Sequence, residues 1–501
     1  MARPPSHRPH LSEATTIVES PEEAKIDELS EGSDVEAQIS RKPFAHTRYA
    51  LLTVYRRLFG LVFLSNLGVF IYVLATRHQN ELIACVNAAA ANLLVCGLAR
   101  HPHVVNAVYS VLSAVPRRAP LRLRHLVAKT YHYGGVHSGC GVASFLWYVG
   151  FTAILTTQYL QNTLAVSVAV VVVTYLILVA LLAIILAAYP GLRSKRHNVF
   201  EFTHRFLGWT VVALFVVLLL LFAHEYTGSS SSDSGKNEGE GKNEGKNHMG
   251  DFLLHLPAFW FLILAVLAIV HPWLLLRKVQ VRAEYLSQHA VRLHFNHTST
   301  GFAKGISVSN HPLRDWHAFA TFPDLDDQPE GDDDEEEEED KNKKFSCLVS
   351  RAGDWTTSTI GTPPRTLWKR GTMLYGFAHL MKMYERVLLI TTGSGIGPCL
   401  AFLGASERER PLLRVVWQTR APLVTYGPKI LDLVHRLDSN PVIIDSDRKG
   451  KRVDVLPLAR KLISQFDADA VCVISNPRLT RKIVFELEAT GVAAYGPIFD
   501  S

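Results

Sequence analysis

The sequence predicts a multi-domain chain: a polytopic α-helical bundle of about six spans, then a β-rich module, then an α/β module. Three observations predict it. Long apolar stretches recur between Leu58 and Leu276. After Arg277 the apolar runs become short and alternating or mixed, as in strands. From Arg386 onward, strand-like runs alternate with helical stretches. A chain of 501 residues has room for more than one such domain.

Residues 1–45 are rich in Pro, Ser and Glu and poor in large apolar side chains, so they are expected to be a disordered cytosolic tail. No basic segment followed by an apolar core opens the chain, so no cleaved signal peptide is expected. Residues 46–276 hold the expected spans, near Leu58–Ala75, Leu82–Leu98, Val136–Ile154, Leu164–Ala188, Phe206–Phe222 and Phe252–Leu276. Arg56 and Arg57 precede the first span. Arg117, Arg118, Arg122, Arg124 and Lys129 separate the second from the third. Arg193, Lys195 and Arg196 separate the fourth from the fifth, and Arg277, Lys278 and Arg282 follow the sixth. With both termini cytosolic, every basic loop falls on one side, as the positive-inside rule asks. The lipid bilayer is therefore an expected partner. The slight excess of positive charge, +6, is explained by these loops and gives no sign of nucleic-acid binding. The Ser-rich and Gly-Lys-Asn-Glu stretch Gly228–Gly250 reads as a flexible extracytosolic linker. The six cysteines form no C-x-x-C pair, so neither disulfides nor a cysteine metal site is expected.

Residues 277–383 form the expected β-rich domain, with strands at Val279–Tyr285 and Ala290–Phe295 and a solvated acidic insert over 324–344. Residues 384–501 form the expected α/β domain, with strands at Val387–Ile390, Leu413–Trp417, Val442–Asp445 and Ala470–Ile474. Between its first strand and the following helix lies Gly393-Ser394-Gly395-Ile396-Gly397-Pro398. Glycines at Gly393, Gly395 and Gly397, with Pro398 opening a helix, let backbone approach a pyrophosphate while the helix N-terminus offers N–H groups. Ordinary strand-to-helix turns also use glycine, so the loop alone does not decide. Arg420 ends the second strand, where a 2′-phosphate would sit, favouring NADPH over NADH; a surface Arg after a strand stays open.

Several segments, in this order, carry a resemblance. Trp316-His317-Ala318-Phe319-Ala320-Thr321 resembles the His-Pro-Phe-Thr stretch of the flavin domain in ferric reductases and NADPH oxidases. Ser350-Arg351-Ala352-Gly353-Asp354-Trp355-Thr356 resembles their Gly-Asp-Trp-Thr segment, and Trp417-Gln418-Thr419-Arg420 their W-x-x-R segment. Within that superfamily the chain is most similar to the fungal TmpA-type integral membrane flavoproteins. The resemblance implies a ferredoxin-reductase-like β-barrel FAD domain and an NAD(P)-binding α/β domain behind a ferric-reductase-like bundle, in the plasma membrane. It assigns His317, Phe319, Thr321, Arg351, Gly353, Trp355 and Thr356 to FAD. Physically, Phe319 supplies a platform for a flat ring, Thr321 a donor, and Arg351, Gly353 and Thr356 cationic and N–H groups for a pyrophosphate. The same residues also read as an alternating strand core followed by a turn. The family's Cys-Gly-Pro near the nicotinamide is Ser475-Asn476-Pro477 here, which puts hydride transfer in question. Ser475 and Phe499, a terminal aromatic positioned to cover the flavin, are the candidate catalytic residues.

The family's two haems need two histidines on each of two helices, about 13 or 14 residues apart, or roughly 20 Å. Here His137, with His132 as an alternative, and His204 open the third and fifth spans, one on each helix. Gly141 and Gly208 lie one turn above them, leaving room for a porphyrin. The outer partners are missing: Gly150 and Phe151 follow His137 at that spacing, and Val217 and Leu218 follow His204. The expectation is one cytosolic-side b-type haem or none, with Gly135-x-x-x-Gly139 serving ordinary helix packing. His101 and His103 read as interfacial. The expected function is an NADPH-dependent, FAD-containing membrane oxidoreductase with an unidentified acceptor: a haem, a small apolar metabolite or oxygen. The alternative is a nucleotide sensor or scaffold whose catalysis has weakened.

Overall fold

The computed structural model describes residues 44, 47, 49, 51–76, 80–164, 166–233, 244–325, 344–406 and 408–497. Phe499, most of the N-terminal tail and nearly all of the acidic insert lie outside the described residues.

The first half is helical: α1 (Val54–Ala75), α2 (Glu81–Leu98), α3 (Pro102–Leu112), α4 (Leu121–Ala128), α5 (Gly134–Leu160), α6 (Val168–Ala187), α7 (Pro190–Lys195), α8 (His197–Asp233), α9 (Glu244–His255) and α10 (Pro257–Leu274). Six of these, α1, α2, α5, α6, α8 and α10, are long and apolar enough to cross a membrane. Helix α5 is the hub and packs on α1, α2 and α6, while α8 packs on α6 and α10. Small residues permit the close contacts. A Cβ on Gly135 would lie 2.3 Å from Tyr55 O, and one on Gly139 would lie 3.0 Å from Val62 Cβ, so the Gly-x-x-x-Gly pair is a packing face against α1. Ala89 and Ala90 are fully buried, which explains why α2, rich in Ala and Asn, sits inside the bundle. Asn66 Oδ1 accepts from Asn92 Nδ2 (2.7 Å) and Trp147 Nε1 (2.9 Å), tying α1, α2 and α5 together. The linker expected over Gly228–Gly250 is helical at both ends, because α8 runs on to Asp233 and α9 starts at Glu244. The last span is broken at Leu256, where Pro257 begins α10.

Only Leu275 and Leu276 separate α10 from β1 (Arg277–Gln280). Then follow β2 (Arg282–Tyr285), β3 (Ala290–Phe295), β4 (Lys304–Ser309), β5 (His317–Pro323), β6 (Phe345–Ser350), α11 (Asp354–Gly361), β7 (Thr366–Lys369) and β8 (Leu374–Tyr375). The strands form one antiparallel sheet in the order β1-β7-β4-β5-β6-β3-β2, with β8 paired to β4. The strand expected over Val279–Tyr285 is broken at Val281, whose N–H donates to Arg365 O (2.9 Å). The two sheet edges, β1 and β2, are therefore halves of one bent strand, and the sheet is a nearly closed barrel. Its core holds Val279, Leu293, Phe295, Ile306, Phe345 and Leu367.

The α/β module contains β9 (Arg386–Thr392), α12 (Ile396–Leu400), β10 (Leu412–Thr419), α13 (Pro422–Leu437), β11 (Val442–Asp445), α14 (Val455–Phe466), β12 (Ala470–Ile474), α15 (Pro477–Ala489) and β13 (Ala494–Tyr495). Its parallel sheet has the order β11-β10-β9-β12-β13, so the chain reverses direction across the sheet between β9 and β12. Ligands bind at such switch points, beyond the carboxyl ends of the strands.

The basic connector between α2 and α5 grips both modules. Arg124 pairs with Asp469 (2.6 Å) and donates to Met383 O (3.1 Å). Lys129 is buried, pairs with Glu488 and donates to Ala494 O (3.1 Å). Arg117 donates to Lys382 O (3.0 Å) and Glu409 O (2.6 Å). Asn106 donates to Met373 O (2.8 Å) and accepts from Tyr375 N (3.0 Å). Three charges that satisfy the positive-inside rule are therefore also docking contacts. Arg124→Ala leaves Asp469 half-buried without its guanidinium, and a loss of about 3 kcal/mol is expected. Thermal unfolding in detergent should show a lower Tm, whereas Arg118→Ala should leave it unchanged.

Candidate active site

Each glycine of the loop after β9 has its own reason. Gly393 has φ +53°, and a Cβ there would meet only Tyr426 Oη, at 3.9 Å. A Cβ on Gly395 would lie 2.4 Å from Ile474 O, so that glycine lets the loop pass the end of β12. One on Gly397 would lie 3.2 Å from Leu348 Cβ, so that glycine seats the loop on the barrel. Only Gly393 is thus free of a packing explanation. The helix expected after the loop is the five-residue α12, continued by a 3₁₀ turn. Pro398 lies on it and faces a large cavity. Across the switch point, Ser475 Oγ lies 2.5 Å from Thr392 Oγ1, and Trp417 Nε1 donates to Gly393 O (2.9 Å). Asn476 caps α15 by accepting from Leu479 N. Arg420 is 74% exposed at the end of β10, 3.8 Å from Asp447.

The cavity, about 2720 Å³, is shared by all three parts of the molecule. The barrel supplies Lys304–Ser307, Trp316, Ala318–Ala320, Arg370 and Thr372. The segment Leu374–Ala378 and, from the α/β module, Pro398 and Ala401 close one side. The helices and connectors of the first half supply most of the rest, including His132, His137 and His204, and α15 with the segment after it adds Arg481, Val484, Glu488 and Ala493. Trp316, Ala318 and Ala320 alternate along β5 and share one face. The other face carries His317, Phe319 and Thr321. Phe319 packs on the barrel core, and His317 bonds Asp315 (2.9 Å) and stacks on Trp355 at 4.3 Å. Thr321 is fully buried; its hydroxyl donates to Lys304 O (2.9 Å) and lies 2.5 Å from Thr300 Oγ1. The structure therefore withdraws Thr321 from the cavity, because strand alternation turns it inward and its hydroxyl is already used.

Arg351, Gly353, Trp355 and Thr356 lie outside the cavity lining. Thr356 Oγ1 accepts from Ala352 N and Gly353 N, each at 2.9 Å, and so serves its own turn at the start of α11. Arg351 and Arg420 come together beside His289: burial, then these two cations, push that imidazole down. Sequence reasoning missed Arg370. Its guanidinium lies 4.7 Å from the Trp316 ring centre and 5.0 Å from that of Trp273, and burial, then Arg205, pull it down to about 10. Trp273 meets Trp209 of α8 at 5.2 Å. Nothing in the sequence pattern around Arg370 singles it out, because its two tryptophan partners come from distant segments.

In the bundle, the His137 and His204 rings face each other at 6.0 Å between centroids. His137 Nδ1 donates to Cys96 O (2.9 Å), and His204 Nδ1 is buried without a hydrogen-bond partner. Gly141 and Gly208 both line the cavity, and a Cβ on Gly208 would meet nothing within 4 Å. Farther out, between α5 and α8, Tyr148 meets Phe215 at 5.0 Å, and Phe151, Leu155, Leu218 and Leu219 fill the space. The large cavity thus lies in the half of the bundle nearest the barrel and the α/β module.

Residues 377–501 match the family model for the C-terminal domain of adenylate-forming reductase 03009. The chain is 36% identical over 454 residues to adenylate-forming reductase 03009 of Coprinopsis cinerea, covering 91% of this chain and 41% of that protein. It is also 36% identical over 455 residues to adenylate-forming reductase 06235 of the same organism, with the same coverage. The chain therefore spans about two fifths of the length of these curated relatives. Among solved structures, flavohemoglobin from Malassezia yamatoensis matches with a TM-score of 0.34 and 13% identity over 84% of this chain and 99% of that one. Ferredoxin-NADP+ reductase from Plasmodium falciparum matches with a TM-score of 0.32 and 10% identity over 45% and 96%.

Two histidines beside the cavity set a pH limit. Burial, then Lys129, pushes His132 down to about 3. Burial, then Lys382, pushes His379 down to about 4. Above pH 6.5 both are neutral in the folded and unfolded chain. Below it the unfolded chain takes up protons that the folded chain refuses, so stability is lost as pH falls from about 6.5 toward 4. Unfolding free energy should drop by about 1 kcal/mol or more for each histidine between pH 6.5 and 5, and His379→Gln should flatten the profile.

Proposed function

We propose that this chain is a membrane-bound flavin oxidoreductase that takes electrons from NADPH through FAD and passes them to an acceptor in the inner half of the bundle. The observation that carries it is the shared cavity: barrel wall, nucleotide-side loop and intramembrane histidines open onto one volume. The relatives' name, reductase, and the match of residues 377–501 to their C-terminal domain support the reading. The narrower resemblance to ferric reductases and NADPH oxidases rests on the motif segments. The adenylate-forming part of the relatives' name is not carried over.

FAD, when bound, accepts a hydride and releases electrons one at a time. The small face Ala318 and Ala320 offers a flat wall to its ring system, and Thr372 Oγ1, buried without a hydrogen-bond partner on the lining, offers a polar contact. Arg370 would hold negative charge near that ring, while Trp273 and Trp316 exclude water from it. For NADPH, Gly393 leaves the backbone open to a phosphate, and Thr392 and Ser475 present paired hydroxyls at the switch point. Arg420, with Arg351 close by, would bind the 2′-phosphate.

A b-type haem also suits the donors. The His137 and His204 rings face each other with 6.0 Å between centres, both line the cavity, and together they could hold one group between them. His137 Nδ1 is held by Cys96 O, which leaves Nε2 for a metal. His137 and His204 would hold the group, which supplies a one-electron carrier at the inner leaflet.

An absorption spectrum of the detergent-purified chain, before and after NADPH, tests the proposal. Flavin bands that bleach are expected; folded protein with no chromophore would instead favour the sensor or scaffold reading, which Ser475 in place of cysteine already suggests. A Soret band lost in His204→Ala would add the haem. Arg420→Ala should raise KM for NADPH about tenfold or more and leave KM for NADH near its starting value.

A further inference from the structure

Three histidines of no assigned role meet where bundle and barrel join. His101 and His103 flank Pro102, which opens α3, and His271 lies in the last turn of α10. His101 has extended backbone angles, φ −72° and ψ 128°. The extended cap at His101 and the first turn of α3 at His103 bring both rings to His271 of α10. The ring centres form a nearly equilateral triangle: His101 to His103 5.6 Å, His101 to His271 5.2 Å and His103 to His271 5.0 Å. Nδ1 of His101 and Nδ1 of His271 are both buried with no hydrogen-bond partner. Gly371 fixes the joint: its N–H donates to Pro272 O (3.1 Å), and a Cβ there would lie 3.5 Å from Pro102 Cγ.

Buried imidazole nitrogens rarely go without a partner, and a bound metal is one way to supply it. Tetrahedral coordination sets the scale. With nitrogens about 2.0–2.1 Å from a zinc ion, three imidazole centres lie roughly 5 Å apart. The observed triangle has that size. As the rings stand, no three donor atoms converge on one point among the described residues. The ring centres nevertheless stand at coordination spacing, and a bound ion would require the rings, exposed His103 first, to turn about their side-chain bonds.

We propose that His101, His103 and His271 form a transition-metal site of the zinc class, with a fourth position open to water. The site joins the α2–α3 connector to the end of the last span, so the bound ion braces the bundle against the barrel. It is separate from His137 and His204 and does not depend on the oxidoreductase reading.

The test uses the full chain in detergent with any affinity tag removed. Protein is equilibrated with Zn²⁺, freed of loose metal and analysed for zinc and iron by mass spectrometry. The parent chain should keep about one zinc per chain, and His103→Asn and His271→Asn should each bind it at least about tenfold more weakly. His435→Asn, an exposed control on α13, should match the parent. Co²⁺ in place of zinc should give the visible bands of a four-coordinate ion in the parent only. Zinc kept equally by all four proteins, or by none, overturns the proposal. If His271→Asn does not fold, exposed His103 carries the comparison.

Discussion

Everything that the cavity does depends on buried charge at the dock. Lys129 is buried and would be costly there alone; Glu488 and the carbonyl of Ala494 make it tolerable. Arg124 performs the same task between Asp469 and Met383. Such pairs add little net stability compared with apolar packing, but they are demanding in geometry. They admit one seating of the α/β module on the connector. That seating sets where Pro398 and Ala401 stand relative to the histidine-bearing ends of α5 and α8. A looser, greasier interface would permit sliding, and the three walls of the cavity would then lose their registration.

The chamber has an apolar interior beneath a charged mouth. Val211, Val212, Leu181 and Ala265 line the inside, whereas Arg100, Arg193 and Arg205 stand with His137 and His204 near the reductase side. Above it the bundle is packed solid by Tyr148, Phe215 and their neighbours. In the proposed reading, this arrangement would confine redox chemistry to the side on which the barrel and α/β modules sit. It also accounts for Gly141 and Gly208, which in a tightly packed bundle would be cavities without purpose.

Much of the fold was legible because its signals are periodic and long. Apolar spans, the alternation of β3 and the buried runs of β9, β10 and β12 need no tertiary information. The break at Val281 was not legible, since a bend that closes a barrel leaves no mark on hydrophobic pattern. Of the expected site residues, Gly393 and Ser475 stand together at the switch point, and the His137 and His204 rings face each other 6.0 Å apart. The hydroxyls of Thr321 and Thr356 are already used within the chain, by Lys304 O and Thr300 in one case and by the turn at Ala352 and Gly353 in the other, and a motif does not reveal such competition. Gly395 and Gly397 looked like ligand glycines, yet contacts with β12 and the barrel explain them. The docking role of Arg117, Arg124 and Lys129 was hidden by a second rule that the same residues obey, the charge bias of membrane loops. One residue satisfying two constraints yields to sequence analysis only the more general one.

The two-residue passage from α10 into β1 makes a flexible hinge at that point untenable. Leu275 and Leu276 span too short a path to let the barrel swing while the last helix stays put. Any tilt or axial shift of that helix is delivered as torque to the bent strand whose two halves close the barrel. In the proposed membrane setting, bilayer thickness and lateral pressure would act mechanically on the wall of the cavity. In the proposed reading, reactants would pass as small molecules through the openings of the cavity, since a two-residue link keeps the barrel close to the end of α10.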